Sequence, residues 1–372
     1  MLRTHRIAHF ALGAFVAAAT TLAACDESKP AAPPVPASAA AAPSASAAPK
    51  VTEIPAASLA MFKALPEAME SKTNPLTDAK IDLGRMLYFD ARLSKNQDVS
   101  CNSCHDLDRY GVDGKEVSNG HKGEKGRRNA QSVYNAAGHF VQFWDGRAAD
   151  VEAQAKGPVL NPLEMAMPDE AHVVAVLKSM PAYEEAFKKA YPEAKGAITF
   201  DGMANAIGAF ERKLVTPSRW DKFMKGDKAA LTTEEKAGFN AFFDAGCIAC
   251  HIGPYFGGTM YQKAGLVKPW PNQKDQGRFE ITKDEADKMV FKVPSLRNVE
   301  KTAPYFHDGS VKTLEEAVKM MAVYQSAKEL KDEEVKSIVA FLKTLTGELP
   351  KAYIAKPKLP ESTPKTPKPD PK

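Results

Sequence analysis

The sequence predicts a mostly α chain of two tandem halves, and three observations carry that expectation. Apolar residues recur at helical spacing through the body, alternating strand patterns are scarce, and one helix–turn–pentapeptide unit occurs twice. A length of 372 residues suits two domains with ample cores.

The first unit runs from Asp78 to Phe89, with Ile81, Leu83, Met86 and Leu87 at mostly helical spacing and Asp90 behind it. A short loop leads to Cys101-Asn102-Ser103-Cys104-His105. In the second unit, Thr232 and Glu235 form a capping box ahead of Phe239, Phe242 and Phe243. Asp244 then precedes Cys247-Ile248-Ala249-Cys250-His251. Thr313 and Glu316 form another box, opening a helix through Val318 and Met321. A last helix starts at Asp332 and carries Val335, Ile338, Val339 and Leu342 on one face. The halves meet near Val215-Thr216-Pro217.

Both pentapeptides read Cys-x-x-Cys-His, the spacing for covalent attachment of c-type haem. Two thiols three positions apart, on one helical turn, can each form a thioether to a haem vinyl group, and the adjacent His presents its imidazole to the iron. A single Cys-x-x-Cys could be a zinc half-site or a redox dithiol. Two, each followed by His, use four of the five cysteines and leave no disulfide framework. The expected architecture is therefore two cytochrome-c-like haem domains in tandem, residues 51–215 and 216–350, each with one covalent haem c.

The flanks differ from the body. Arg3 and Arg6 precede an apolar stretch from Phe10 to Ala24, too short and too polar behind to span a bilayer, so residues 1–24 read as a secretory signal. Its Leu22-Ala23-Ala24-Cys25 ending resembles a lipoprotein cleavage box, which would lipidate Cys25. Residues 25–50 are almost wholly Ala, Pro and Ser and read as a disordered or polyproline-like tether. Residues 351–372 are rich in Pro and Lys, and from Lys356 read as an extended, solvated tail. A net charge of +4, with no basic run interleaved with aromatics, argues against a nucleic-acid partner.

What occupies each iron's sixth position separates electron transfer from catalysis. Setting aside His5 and His9 of the leader and the two pentapeptide histidines, His121, His139, His172 and His307 remain. His172 lies in an apolar-patterned helix. His121 lies in Ser118-Asn119-Gly120-His121-Lys122-Gly123-Glu124-Lys125-Gly126, a glycine-spaced loop from which a ligand could come off its iron.

Several longer stretches resemble the bacterial dihaem cytochrome c peroxidases. They are Gln142-Phe143-Trp144-Asp145-Gly146-Arg147-Ala148, Glu152-Ala153-Gln154-Ala155, Gly157-Pro158-Val159, Pro162-Leu163-Glu164-Met165, Val293-Pro294-Ser295-Leu296-Arg297-Asn298 and Thr302-Ala303-Pro304-Tyr305-Phe306-His307-Asp308-Gly309. The resemblance spans about Leu59 to Pro350. It implies a low-potential, peroxide-reacting haem on His105, with His121 as sixth ligand at rest, and a high-potential haem on His251 with Met321 as its thioether ligand. Met320 is adjacent and bears the same sulfur; only the resemblance favours Met321. It also implies Trp144 as an electron conduit and Glu164 with Gln154 over the first haem, a carboxyl to move a proton and an amide to orient peroxide. By residue type alone, Trp144 reads as core and Glu164 as a carboxylate paired with a base.

The same resemblance implies a calcium ion held by the Asn129 side chain and the carbonyls of Thr302 and Pro304. Here the chain departs from the family pattern, with Arg127-Arg128 before Asn129 and Gln131 behind it. The expected partners are hydrogen peroxide and a small cytochrome c or cupredoxin as electron donor, in the periplasm, with membrane contact only through Cys25 and a homodimer left open. Two rivals remain. One is a dihaem enzyme that oxidises a protein partner, which uses Tyr on the second haem; Tyr324 is near, but Met321 holds the matching position. The other is an electron-transfer cytochrome with both irons permanently six-coordinate.

Overall fold

The computed structural model describes residues 53–372, so the expected leader, Cys25 and the tether lie outside the described residues. Helix α1 (Asp78–Phe89) starts where the Thr77 hydroxyl accepts the Lys80 amide, and it buries Ile81, Leu83, Leu87 and Tyr88. The first domain continues through α2 (Val151–Leu160), α3 (Glu170–Lys178), α4 (Pro181–Ala190) and α5 (Phe200–Glu211). The second contains α6 (Arg219–Met224), α7 (Thr233–Asp244), α8 (Leu314–Ser326) and α9 (Asp332–Lys343). Thr232 and Glu235 close the expected box at the start of α7, and the Thr313 hydroxyl accepts the Glu316 amide at the start of α8. Among the described residues the only sheet is one antiparallel pair, β1 (Tyr261–Lys263) on β2 (Val290–Lys292), with Tyr261 opposite Lys292. The fold is mostly α.

The tandem repeat has a physical counterpart. In each half, the helix ahead of the pentapeptide crosses a later helix through a glycine. A Cβ on Gly84 of α1 would lie 1.8 Å from the Ala206 carbonyl oxygen of α5, and one on Gly238 of α7 would lie 1.9 Å from that of Ser337 in α9. Only a bare backbone permits either crossing. Each half also buries a carboxylate–guanidinium pair: Glu152 with Arg212 at 2.7 Å, and Asp221 with Arg297 at 2.6 Å. Leu83, Leu87, Tyr88, Met203 and Phe210 centre the first core, and Trp220, Phe239, Phe256 and Phe341 the second.

The chain's flanking segments exchange domains, which sequence did not anticipate. Ile54 and Phe62, expected with the first domain, pack into the second core, where Phe62 stacks on Phe256 at 4.6 Å. Conversely, Ile354 enters the first core and Tyr353 stacks on Phe210 at 5.1 Å. The Pro/Lys-rich tail is also not the solvated strand expected. It lies along the first domain, where Arg92 donates to Ser362, the Thr363 hydroxyl to the Ser179 carbonyl, and Gln97 to the Pro367 carbonyl. Thr366 of the tail is itself buried, against the Ser179 hydroxyl. Proline supplies no amide, so the tail docks through its Ser and Thr hydroxyls, the Pro367 carbonyl and the Asp370 amide, which donates to the Lys95 carbonyl.

Candidate active site

The first pentapeptide forms a single helical turn, Cys101–Cys104, with Ser100 and Ser103 capping it reciprocally. The turn aims both thiols at a cavity of about 560 Å³, lined also by His105, Trp144, Gln154 and Glu164. Tyr88 of α1 donates to the His105 carbonyl at 2.7 Å, and His105 Nδ1 faces the Gly111 carbonyl at 3.3 Å. That contact makes Nδ1 the protonated nitrogen and leaves Nε2 its lone pair. The second pentapeptide follows Gly246, whose φ is +82°, and opens on a cavity of about 330 Å³ with Cys247, Cys250 and His251 on its wall. His251 Nδ1 faces the Phe256 carbonyl at 2.8 Å, the same arrangement. Burial lowers both imidazole pKa values, so each ring is neutral and able to ligate.

The thiols fit thioether attachment better than dithiol or zinc chemistry. Burial raises all four of their pKa values, Cys247 to about 12, whereas a redox dithiol needs a thiolate, and no cluster of three or more His, Cys, Asp or Glu that could hold zinc occurs among the described residues. The cavities also hold buried nitrogens without a partner, His139 Nε2 and His307 Nε2, on walls that a cofactor would complete. The donor sets and these orphaned atoms fit one haem c in each cavity.

Trp144 lines both cavities. Its indole donates to the Asn129 carbonyl at 2.9 Å, and its carbonyl accepts the Lys292 amide at 2.7 Å, which pins the ring in the shared wall. Met321 is on the second cavity's wall, whereas Met320 packs into the neighbouring apolar clusters. Tyr324 is not on that wall; it packs edge-on against Trp270 at 5.4 Å.

In the first cavity, burial raises the Glu164 pKa against the opposing pull of Arg147 and a 2.7 Å hydrogen bond from Asn161. Gln154 projects into the same space from α2. Arg147 stands over the Phe143 ring at 3.4 Å and pairs with Asp145. His121 is the site residue that the structure does not bring to the cavity. Gly120 is on the wall, but the buried His121 ring turns toward the tail, its Nε2 3.4 Å from the Lys372 carbonyl oxygen. The His121 amide donates to the Glu164 carbonyl at 2.7 Å, so the histidine loop and the glutamate loop are joined.

Asn129, Thr302 and Pro304 all line the second cavity. The Asn129 amide nitrogen donates to the carbonyls of Lys115 and Glu116, which orients the side chain and leaves its oxygen as an acceptor. Arg128 does not crowd this oxygen set, because its guanidinium is held by Asp145 and Asp275 at 2.5 Å. Asp275 is 147 positions away, a partner that local sequence could not supply. Sequence reasoning also left His139 and His307 unassigned and missed Lys292, a buried cation on both cavity walls.

A family model described as di-haem cytochrome c peroxidase matches residues 78–229, and one described as cytochrome c matches residues 235–346. The chain is 48% identical to cytochrome c551 peroxidase of Nitrosomonas europaea, over 78% of this chain and 86% of that one. It is 45% identical to cytochrome c551 peroxidase of Pseudomonas aeruginosa, over 83% and 90%. The crystal structure of a MauG-like protein associated with microbial copper homeostasis superposes with a TM-score of 0.70 at 32% identity, covering 79% of this chain and 97% of that one.

Proposed function

The chain belongs to the di-haem cytochrome c peroxidase family, and from that premise we propose that it reduces hydrogen peroxide to water with electrons from a small cytochrome c or cupredoxin. One observation carries the reading. Two cavities, each with a Cys-x-x-Cys-His wall, share Trp144, and only the first has carboxyl groups on its wall, Glu164 among them, with Gln154 beside it in the same lining. Cys101, Cys104 and His105 would hold one haem c, and Cys247, Cys250, His251 and Met321 the other. Bound haem c would supply a redox-active iron in each cavity.

The chain's own groups then divide the work. Met321 offers a thioether, which suits the site where electrons arrive, and Trp144 gives them a path through the shared wall. Glu164, its pKa raised by burial, can take a proton from one peroxide oxygen and return it to the other, while Gln154 orients the molecule. In this reading His121 would be a removable ligand to the iron of the first site at rest, which requires its ring to leave its contact with Lys372. The hydrogen bond from the His121 backbone amide to the Glu164 carbonyl couples the histidine loop to the segment that carries the acid. Asn129, Thr302 and Pro304 would hold calcium between the domains. An unchanged spectrum of the half-reduced protein after chelation removes the ion from the account.

We place the enzyme in the periplasm, lipid-anchored at Cys25, since c-type haem is attached outside the bacterial cytoplasm. No described helix is long and apolar enough to cross a membrane. Cys25→Ser should leave the membrane fraction; wild type already soluble in its host rules out the anchor. The activity is tested by stoichiometry. Reduction of peroxide to water takes two electrons, so two molecules of a one-electron donor should be oxidised per peroxide. A protein that carries two covalent haems by the pyridine haemochrome assay yet consumes no peroxide is the electron-transfer cytochrome instead.

A further inference from the structure

Lys292 ends β2 and is 2% exposed, yet no carboxylate lies within ion-pair distance of it among the described residues. The nearest acid acting on it, Asp145, is already engaged by Arg128 and Arg147. The one polar group that meets its ammonium is His139 Nδ1, at 3.4 Å. His139 is held edge-on to Tyr255 at 5.5 Å, and its ring packs so closely on Gly258 that a Cβ there would lie 2.4 Å from it. The other ring nitrogen, Nε2, is buried with no partner. Both residues line both cavities, and the Lys292 amide is bonded to the Trp144 carbonyl, so the pair sits in the shared wall beside the indole.

A buried ammonium facing a neutral ring is a costly arrangement that an anion would resolve. Burial pushes the Lys292 pKa down to about 7, with Asp145 only partly opposing it. The chain therefore presents an amine that a neighbouring anion would hold protonated, and a ring nitrogen without a partner, but no carboxylate of its own for them. Peroxide is neutral and does not answer that need. Haem c does, because its edge away from the thioether-forming vinyl groups carries propionate carboxylates, and Lys292 and His139 line both cavities.

We propose that Lys292 and His139 form a clamp for haem propionate carboxylates at the wall shared by the two cavities, positioning both cofactors against Trp144. The inference rests on the reading that each cavity holds a haem c, but not on peroxide chemistry. Lys292 is a positioning residue in this account.

Redox titration of the haem-loaded protein tests it, comparing wild type with Lys292→Met and Lys292→Arg after both variants are shown to carry two covalent haems and native circular dichroism. Losing a cation beside a carboxylate favours the oxidised iron. Lys292→Met should therefore shift both midpoint potentials downward, and Lys292→Arg should stay near wild type. Unmoved potentials in a folded, fully loaded Lys292→Met protein overturn the proposal. A second arm needs no variant. The resonance Raman propionate-bending band of wild type should shift in D2O, because N–H donors become N–D, and an unshifted band also overturns it. A saturable dependence of the wild-type potentials on chloride or phosphate assigns the pair to a free anion and rejects the clamp. These readouts ignore turnover, so a peroxide-inert protein could still show the clamp, and an active peroxidase could lack it.

Discussion

Replacing Asp221 by Asn removes one charge and almost no volume from the most enclosed ion pair in the second domain. Asp221 accepts the Leu65 and Ser218 amides at 2.7 Å, the Ser218 hydroxyl at 2.9 Å, and Arg297 at 2.6 and 3.0 Å. The Asp and Arg side chains are 2% and 0% exposed. Arg297 also donates to the Pro254 carbonyl, which ties the pair to the loop behind His251. In Asp221→Asn the guanidinium stays buried without its counter-charge, which typically costs about 3–5 kcal/mol. At roughly 2–4 °C per kcal/mol for a large domain, the melting midpoint should fall by roughly 6–20 °C. The assay is thermal unfolding of the haem-loaded protein followed by circular dichroism at neutral pH.

Two controls sharpen that result. Asp221→Asn with Arg297→Met removes the stranded cation while the Asn side-chain oxygen still accepts from the Leu65 or Ser218 amide, and should recover much of the loss. The pH profile supplies a sign. Burial alone would raise the Asp221 pKa, but Arg297 overrides it and holds the carboxyl below the ordinary carboxylate range. The folded value thus lies below the unfolded one. The stabilisation is complete above the unfolded value and is lost as pH falls from there through the lower folded value, so Asp221→Asn should flatten the acid limb of stability. A loss of under about 1 kcal/mol, the level of an exposed pair, would refute the reasoning.

Glu164→Gln should still bind two haems and still open after half-reduction, but turn over about 10²–10⁴ times more slowly, measured by donor oxidation; full turnover rejects its role as proton carrier. Met321→Leu should lower the potential of the second haem in a redox titration, while Met320→Leu leaves it near wild type; the reverse pattern moves the ligand by one residue. Deleting 356–372 should expose Ser179 and the His121 loop, read as faster limited proteolysis there, and equal protection with and without the tail contradicts its docking.

The two pentapeptides, α1, and the starts of α7, α8 and α9 were legible because each is written within a few consecutive residues: a Cys spacing, a threonine cap, an apolar stripe. What sequence missed is non-local. Gly84 and Gly238 look like ordinary helix interruptions until Ala206 and Ser337 arrive from helices about a hundred positions later. The tail's composition suggests solvation, and nothing near it announces Ser179 or Gln97 as its partners. Lys292 reads as a strand-end cation, and only the folded wall shows that it faces inward beside His139. The placement of Trp144 in both cavity walls is likewise a tertiary fact, although the surrounding motif carried the resemblance.

The central claim is that the first site opens to peroxide while the second stays closed as an electron port. The most direct test is the optical and electron paramagnetic resonance spectrum of the half-reduced protein, recorded before and after one equivalent of hydrogen peroxide. The account predicts that half-reduction converts the first haem from a six-coordinate, low-spin form to an open one, and that peroxide then reoxidises the protein within mixing time. A first haem that stays six-coordinate after half-reduction, in a protein that ignores peroxide, would contradict it.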